Sequence, residues 1–243
     1  MKKVKVISTS LRKGSNSDML ADKFCEGARE AAGMKRTLIA FATAWIICGN
    51  GLAQDIKLPA ADMNQVSSSV VKALATRHSV REYSPRMLTE RQISNLCWAA
   101  CGVARDKEHR TAPTAMNRKE IRLYVFTSQG AYEYLAEENV LKHVAKGDHR
   151  KLVAGAQAFA ATAPVSLVMV IDYERFGRQD EKALMMGCVD AGNVSQNINL
   201  YCQSVGLCTV PRATMDVDGI RKLLGLTGKQ LPIMNNPVGF PKE

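Results

Sequence analysis

Within Ala75-Thr76-Arg77-His78-Ser79-Val80-Arg81-Glu82-Tyr83, the residues Arg77, Ser79 and Arg81 stand at alternate positions, just beyond the apolar pattern Val70, Val71, Leu74. If the helix ends there and the chain extends, alternate side chains point the same way. Two guanidiniums and a hydroxyl then converge on one spot, and arginine's planar fork of donors matches phosphate oxygens. The chemistry offered is the grip of an anion; on these residues alone, a solvated basic turn is the competing reading. A second cluster, Thr111-Ala112-Pro113-Thr114-Ala115-Met116-Asn117, supplies short donors and acceptors in Thr114 and Asn117. Alone it reads as an ordinary loop. The seven cysteines form no CxxC pair and no Cys/His set with zinc spacing. Cys97 and Cys101, one helical turn apart, read as small apolar filling of a helix face. His78, His109, His143 and His149 are scattered, so no general acid, base or metal ligand is assigned.

Several elements must hold these residues. Thr89-x-x-Gln92 is a capping box, opening a helix with Ile93, Leu96, Cys97 and Ala100 inward and ending at Gly102. Residues 121–127 (IRLYVFT) and 165–171 (VSLVMVI) read as strands, the second one buried. Helices are expected over about 150–161, 187–205 and 216–224, with a short strand over 207–210. Helices and strands mix without strict alternation, which makes the domain α+β.

Composition narrows the partners. A 46% apolar chain of 243 residues holds a real core. The formal charge of +10 comes with few aromatics and no zinc finger, RNA-binding signature or stacking basic helix. Nucleic acid is therefore excluded as the main partner, and small anionic ligands suit the charge equally well.

The first third of the chain is of mixed character. Val4, Val6 and Ile7, a Ser/Gly-rich turn over 8–17 and a helix over about 18–32 form a βα unit with an anion-cradling turn. No further parallel strands of a doubly wound sheet follow, so residues 1–33 read as a fragment. Met34-Lys35-Arg36, the apolar run 38–48 and the small residues near Gly51 and Ala53 have the layout of a secretory signal over 34–53, too short for a stable membrane span. Export is expected if translation starts at Met34; otherwise the chain is cytoplasmic or signal-anchored. Residues 54–65 read as a linker, and 66–243 as the domain that carries the chemistry.

Arg-His-Ser-x-Arg-x-Tyr at 77–83 resembles the opening motif of the FMN-dependent nitroreductases. The resemblance implies that Arg77, His78, Ser79 and Arg81 hold the flavin phosphate and ribityl chain. The Pro113-Thr114-Ala115-x-Asn117 turn is similar to one that contacts FMN from the neighbouring subunit, implicating Pro113, Thr114 and Asn117. Asp190 to Asn197 resembles the family's central helix, where Gly192 admits close approach of another backbone and Gln196 and Asn197 bond across a helix contact. Gly206 to Arg212 is similar to the strand beside the flavin, adding Pro211 and Arg212. Gln157, placed in the helix before 165–171, matches a position facing the flavin pyrimidine, and Gly239 matches the terminal Val-Gly-Tyr/Phe-Pro signature. The family likeness implies a central, mostly antiparallel sheet flanked by helices. It also implies a homodimer with FMN at its interface, passing hydride from NAD(P)H to a small electron-poor acceptor such as a nitroaromatic or quinone. Residues 1–33 resemble the start of a flavodoxin-like NAD(P)H-dependent FMN reductase. Two departures bear on this expectation: the chain ends at Pro241-Lys242-Glu243 without the usual basic residues, and Met234-Asn235-Asn236 is polar for a last strand. Disrupted termini point to one alternative, a flavin-binding protein with little turnover, and residues 1–33 to another, a flavodoxin-like FMN reductase.

Overall fold

The computed structural model describes residues 55–60 and 70–242. The chain divides into Met1–Leu52 and Ala53–Glu243, and every described residue belongs to the second unit. The βα fragment and the signal-like segment lie outside the described residues.

Strand β5 (Val165–Asp172) is the centre of the fold, with all eight residues buried. Its β-branched and apolar run suits a strand covered on both faces, each fully buried branched side chain contributing about 1.5–3 kcal/mol. Around it lie β1 (Ile56–Lys57), β2 (Ile121–Thr127), β3 (Gly130–Leu135), β4 (Val140–Lys146), β6 (Cys208–Thr209) and β7 (Gln230–Gly239). They form one sheet in the order β1-β4-β3-β2-β5-β7-β6. Every pairing is antiparallel. Alternation sorts the core: Ile121, Leu123, Val125, Leu167, Met169 and Ile171 point to one layer, Tyr124, Phe126, Val168 and Val170 to the other.

The larger layer is covered by α2 (Glu90–Cys101) and α5 (Glu181–Ser204), and α1 (Val70–Thr76) packs on α5. The capping box at Thr89 is present in both halves, the Thr89 side chain accepting from the Gln92 N–H and Gln92 accepting from the Thr89 N–H. Cys97 and Cys101 sit in the core beneath α2 as free thiols. Helix α5 starts six residues earlier than the apolar stripe indicates, because Asp180 caps it by accepting from the Ala183 N–H at 2.9 Å. Its first turns expose Leu184, Met185 and Val189, which hid them from a burial pattern. Helix α3 (Arg150–Ala154) and α6 (Val217–Leu224) pack on the other layer, and α4 (Tyr173–Phe176) follows β5.

Three expectations are corrected. Residues 150–161 are not one helix: Gly155, at φ +54°, stops α3, and a separate 3-10 turn covers Ala158–Thr162. A Cβ at Gly155 would meet the Met215 backbone at 3.1 Å, in a conformation that favours glycine. Within the stretch read as linker, Ile56–Lys57 pairs with β4. Gly192 stands open, with nothing among the described residues within 4 Å of where its Cβ would stand. Last, β7 is a complete ten-residue strand despite its polar centre. Asn235 donates to Thr214 O at 3.1 Å and accepts from Arg212 Nη1 at 2.7 Å. Asn236 accepts from Ser195 Oγ at 2.7 Å and donates to Thr209 Oγ1 at 3.2 Å. Buried amides with such partners carry no desolvation penalty that would break the strand. Among the described residues no helix is long and apolar enough to cross a membrane.

Candidate functional site

Helix α1 ends at Thr76, and the Arg77 N–H makes its last bond, to Ala73 O at 2.9 Å. From there the chain runs as a strap over the edge of the sheet. The Val80 N–H donates to Thr209 O at 3.1 Å, Tyr83 bridges to Pro241, and the Ser84 N–H donates to Phe240 O at 2.9 Å. Val80 and Tyr83 turn inward to Ala163, Cys208 and Phe159. Tyr83 OH donates to Val80 O at 3.0 Å, and burial holds its phenol well above the ordinary tyrosine range. Gly239 must be small here, since a Cβ would stand 2.8 Å from Pro164 Cδ and 3.1 Å from Tyr83 Cδ1.

With its apolar residues turned inward, the strap leaves His78, Ser79 and Arg81 exposed and Arg77 half-buried. Arg77 Nε is buried with no hydrogen-bond partner. His78 Nδ1 lies 3.1 Å from Thr76 O, which ties the ring to the helix end.

Arg212, next to Pro211 at the end of β6, is 5% exposed and almost fully engaged. Its Nε donates to Gln157 Oε1 at 2.8 Å, Nη1 to Asn235 Oδ1 at 2.7 Å and Val153 O at 3.2 Å, and Nη2 to Ala154 O at 2.7 Å. Its guanidinium also lies 5.5 Å from the centre of the Phe159 ring. Arginine only donates, so Gln157 must turn its oxygen inward, leaving its amide N–H groups facing solvent. Arg212 is thus a positioning residue for Gln157 and a clamp on β7. The structure brings Arg77 to Arg81, Gln157, Pro211, Arg212 and Gly239 to one edge of the sheet.

Pro113, Thr114 and Asn117 form a second group. Two consecutive residues of their turn, Met116 and Asn117, have φ of 53°, as does Lys119. Non-glycine residues in this region cost of order 1–3 kcal/mol each and persist only where surroundings impose them. The imposing contacts are short: the Ala115 N–H donates to Asp190 Oδ2 at 2.6 Å, and the Lys119 N–H to Thr114 Oγ1 at 3.2 Å. No hydrogen bond or ion pair between described residues joins this turn to the strap.

Behind the turn lies a group the sequence reading missed. Glu120 is fully buried, and neither carboxylate oxygen has a hydrogen-bond partner among the described residues. Burial raises its pKa to about 8, and the adjoining Asp190 carboxyl adds to the rise. At neutral pH Glu120 is therefore protonated for the most part. The available signals were an acid directly before a largely apolar strand, and Asp190 four residues from Val194 on the buried stripe of α5.

An open cleft of about 360 Å³ flanks the same turn, lined by Arg105, His109, Arg110, Thr111, Pro113, Thr114 and Asn117 among others. Residues 103–110 along it are tied to the end of α2, Trp98 Nε1 donating to Val103 O at 3.0 Å and Thr111 Oγ1 to Trp98 O at 2.9 Å, and the segment is closed on itself by the Ala104 N–H donating to His109 O at 2.8 Å.

Comparison with known proteins agrees with this arrangement. The sequence profile of the nitroreductase family matches residues 74–240. A protein of Methanocaldococcus jannaschii described as a nitroreductase is 30% identical over 199 residues, covering 78% of this chain and 98% of its own. A crystal structure described as that of a nitroreductase from Ralstonia eutropha superposes with a TM-score of 0.74 at 29% identity, over 80% of this chain and 93% of its own. The NADPH:FMN oxidoreductase of Vibrio harveyi, solved with NAD+, shares the fold at 20% identity and a TM-score of 0.56, over 72% of this chain and 70% of its own. With its seven-stranded antiparallel sheet, its basic strap and the profile match spanning both, this chain belongs to the nitroreductase family of oxidoreductases.

Proposed function

We propose that the chain binds FMN and uses it to pass hydride from NAD(P)H to a small electron-poor acceptor, such as a nitroaromatic or quinone. One observation carries the reading: Arg77 presents a buried, unpartnered Nε beside the exposed Ser79 and Arg81. A phosphate there supplies the acceptors that this cationic edge lacks. The name of the Vibrio harveyi relative, an NADPH:FMN oxidoreductase, agrees with this choice of cofactor and donor.

When bound, the flavin supplies the two-electron chemistry, and the protein supplies grip, orientation and exclusion of water. Arg77 and Arg81 hold the phosphate, with Ser79 and His78 beside them. Gln157, its oxygen fixed by Arg212, offers N–H donors to a carbonyl on the pyrimidine edge. Pro211 and Gly239 form the floor, where a larger residue than glycine would strike Pro164.

The partner in this reading is a second copy of the chain. Helix α1 exposes Val70, Val71 and Leu74, and α5 exposes Leu184, Met185 and Val189. Two-fold packing of these faces would cover them. Gly192 then serves approach by the other chain, since none occurs within its own. Thr114 and Asn117 would reach the partner's strap, completing a site that one chain leaves in two halves. The satisfied amides of β7 remove one ground for a flavin protein without turnover.

The test is spectroscopic. Purified protein incubated with FMN should show the flavin bands, and anaerobic NAD(P)H should bleach them, with colour restored by a quinone. Bound flavin that no nicotinamide donor bleaches would overturn the enzymatic reading; absence of flavin uptake would overturn the cofactor.

A further inference from the structure

We infer that the cleft beside the 114–117 turn recognises an anionic group on the acceptor, so that small aromatic carboxylates are preferred over their neutral counterparts. The inference rests on the flavin reading for the word acceptor, and on the cleft itself for the charge preference.

The cleft lining contains two arginines and a histidine, with no carboxylate. Arg105 is exposed and makes no hydrogen bond or ion pair with the described residues. Arg110 is deeper, its side chain 9% exposed. One amino group, Nη2, is held by Glu137 Oε1 at 2.6 Å, and the other, Nη1, is buried with no hydrogen-bond partner among the described residues. A buried guanidinium nitrogen without an acceptor is costly, and an anionic oxygen is the acceptor that offsets the cost most. His109 does not compete for such a ligand, because its Nδ1 is occupied by the Asp106 carboxylate at 2.7 Å. That contact holds Asp106 below the usual carboxylate range.

Size and surroundings narrow the ligand. About 360 Å³ suits one substituted aromatic ring rather than a whole dinucleotide. Pro113 gives the ring an apolar wall, and Thr114 and Asn117 put it next to the turn that would face the partner's flavin. The 103–110 segment is pinned at both ends to α2, so Arg105 and Arg110 stand on a supported frame.

A nicotinamide nucleotide also carries anionic phosphates, so the experiment separates the two sources. Equilibrium dialysis at low salt measures binding of 4-nitrobenzoate, nitrobenzene, NAD+ and NADP+ to the protein incubated with FMN, with flavin uptake read from absorbance in the same samples. Nitrobenzoate should bind at least about tenfold more tightly than nitrobenzene, the size of one charge-assisted hydrogen bond. Arg105→Gln and Arg110→Gln should each abolish most of that preference, Arg110→Lys should keep part of it, and nucleotide binding should not change. Arg105 is on the surface, so its variant reports even if Arg110→Gln fails to fold. Equal binding of the charged and neutral ligands overturns the inference. Loss of NAD+ or NADP+ binding in the variants overturns it too, because the cleft would then belong to the donor. A protein that takes up no FMN yet keeps the charge preference supports the cleft and sinks the flavin reading instead.

Discussion

Neither oxygen of Glu120 meets a donor among the described residues, and no solvent reaches it. An acid in this state makes folding pH-dependent in a definite direction. Its folded pKa of about 8 lies far above the value of an exposed glutamate, so the folded chain binds a proton that the unfolded chain releases. Stability therefore falls as pH rises from the ordinary carboxylate range to about 8, and levels off above it. Glu120→Gln, which does not titrate, should flatten that slope when urea midpoints are compared from pH 5 to 9. Identical slopes in the two proteins would show that Glu120 is ionised throughout. The arginines of the strap make a second prediction at this scale. Changing Arg77 and Arg81 together to Ala should weaken FMN binding by several kcal/mol, since charge-assisted hydrogen bonds contribute roughly 1.5–3 kcal/mol each. Unchanged affinity by fluorescence titration would remove the strap from the flavin site. The strap was legible in the sequence because alternation and residue type are local properties. Glu120, Asp190 and Arg110 were not, because what singles them out is burial and the partners they have or lack, and both are set by residues far away in the chain.

The elements differ in how they announce themselves. Helix α2 was readable to the residue, since Thr89 and Gln92 cap it reciprocally and Gly102 ends it. Strands β2 and β5 were readable from their apolar runs. The β3–β4 hairpin was not: its turn, Ala-Glu-Glu-Asn over 136–139, holds good helix formers, and charged residues such as Glu133 and Lys142 interrupt its apolar pattern. Strand β7 shows the same limit more sharply. Asn235 and Asn236 look wrong for a central strand until Arg212, Ser195 and Thr209 are seen to satisfy them, from 23, 41 and 27 residues away. This network makes a prediction for β7. Asn236→Ala leaves the Ser195 and Thr209 hydroxyls unpaired in the core and should cost about 1–3 kcal/mol for each orphaned group. In a double-mutant cycle with Ser195→Ala, the two losses should sum to more than the double mutant shows, with a coupling of about 0.5–3 kcal/mol. Strict additivity in urea denaturation would mean that the Ser195–Asn236 bond does not hold β7 to α5.

At the scale of the whole molecule, the proposed flavin site falls into two groups at separate places on the chain. The strap, Gln157 and Gly239 crown one edge of the sheet, and the strained 114–117 turn stands against α5 on Asp190. Exposed apolar residues on α1 and α5 lie on faces that a second copy can cover. Flavin held between two chains is the simplest arrangement that unites both groups. Mixing two defective proteins tests it most directly: Arg77→Ala/Arg81→Ala, which spoils the strap, and Asn117→Ala, which spoils the turn. If each site draws its strap from one chain and its turn from the other, a hybrid dimer contains one doubly defective site and one intact site. FMN titration of purified hybrids should then show about half of the sites restored to unmodified affinity, as two-fold symmetry requires. Hybrids with proven subunit exchange and no restored site, or a monomer that binds FMN at full affinity, would contradict the shared site.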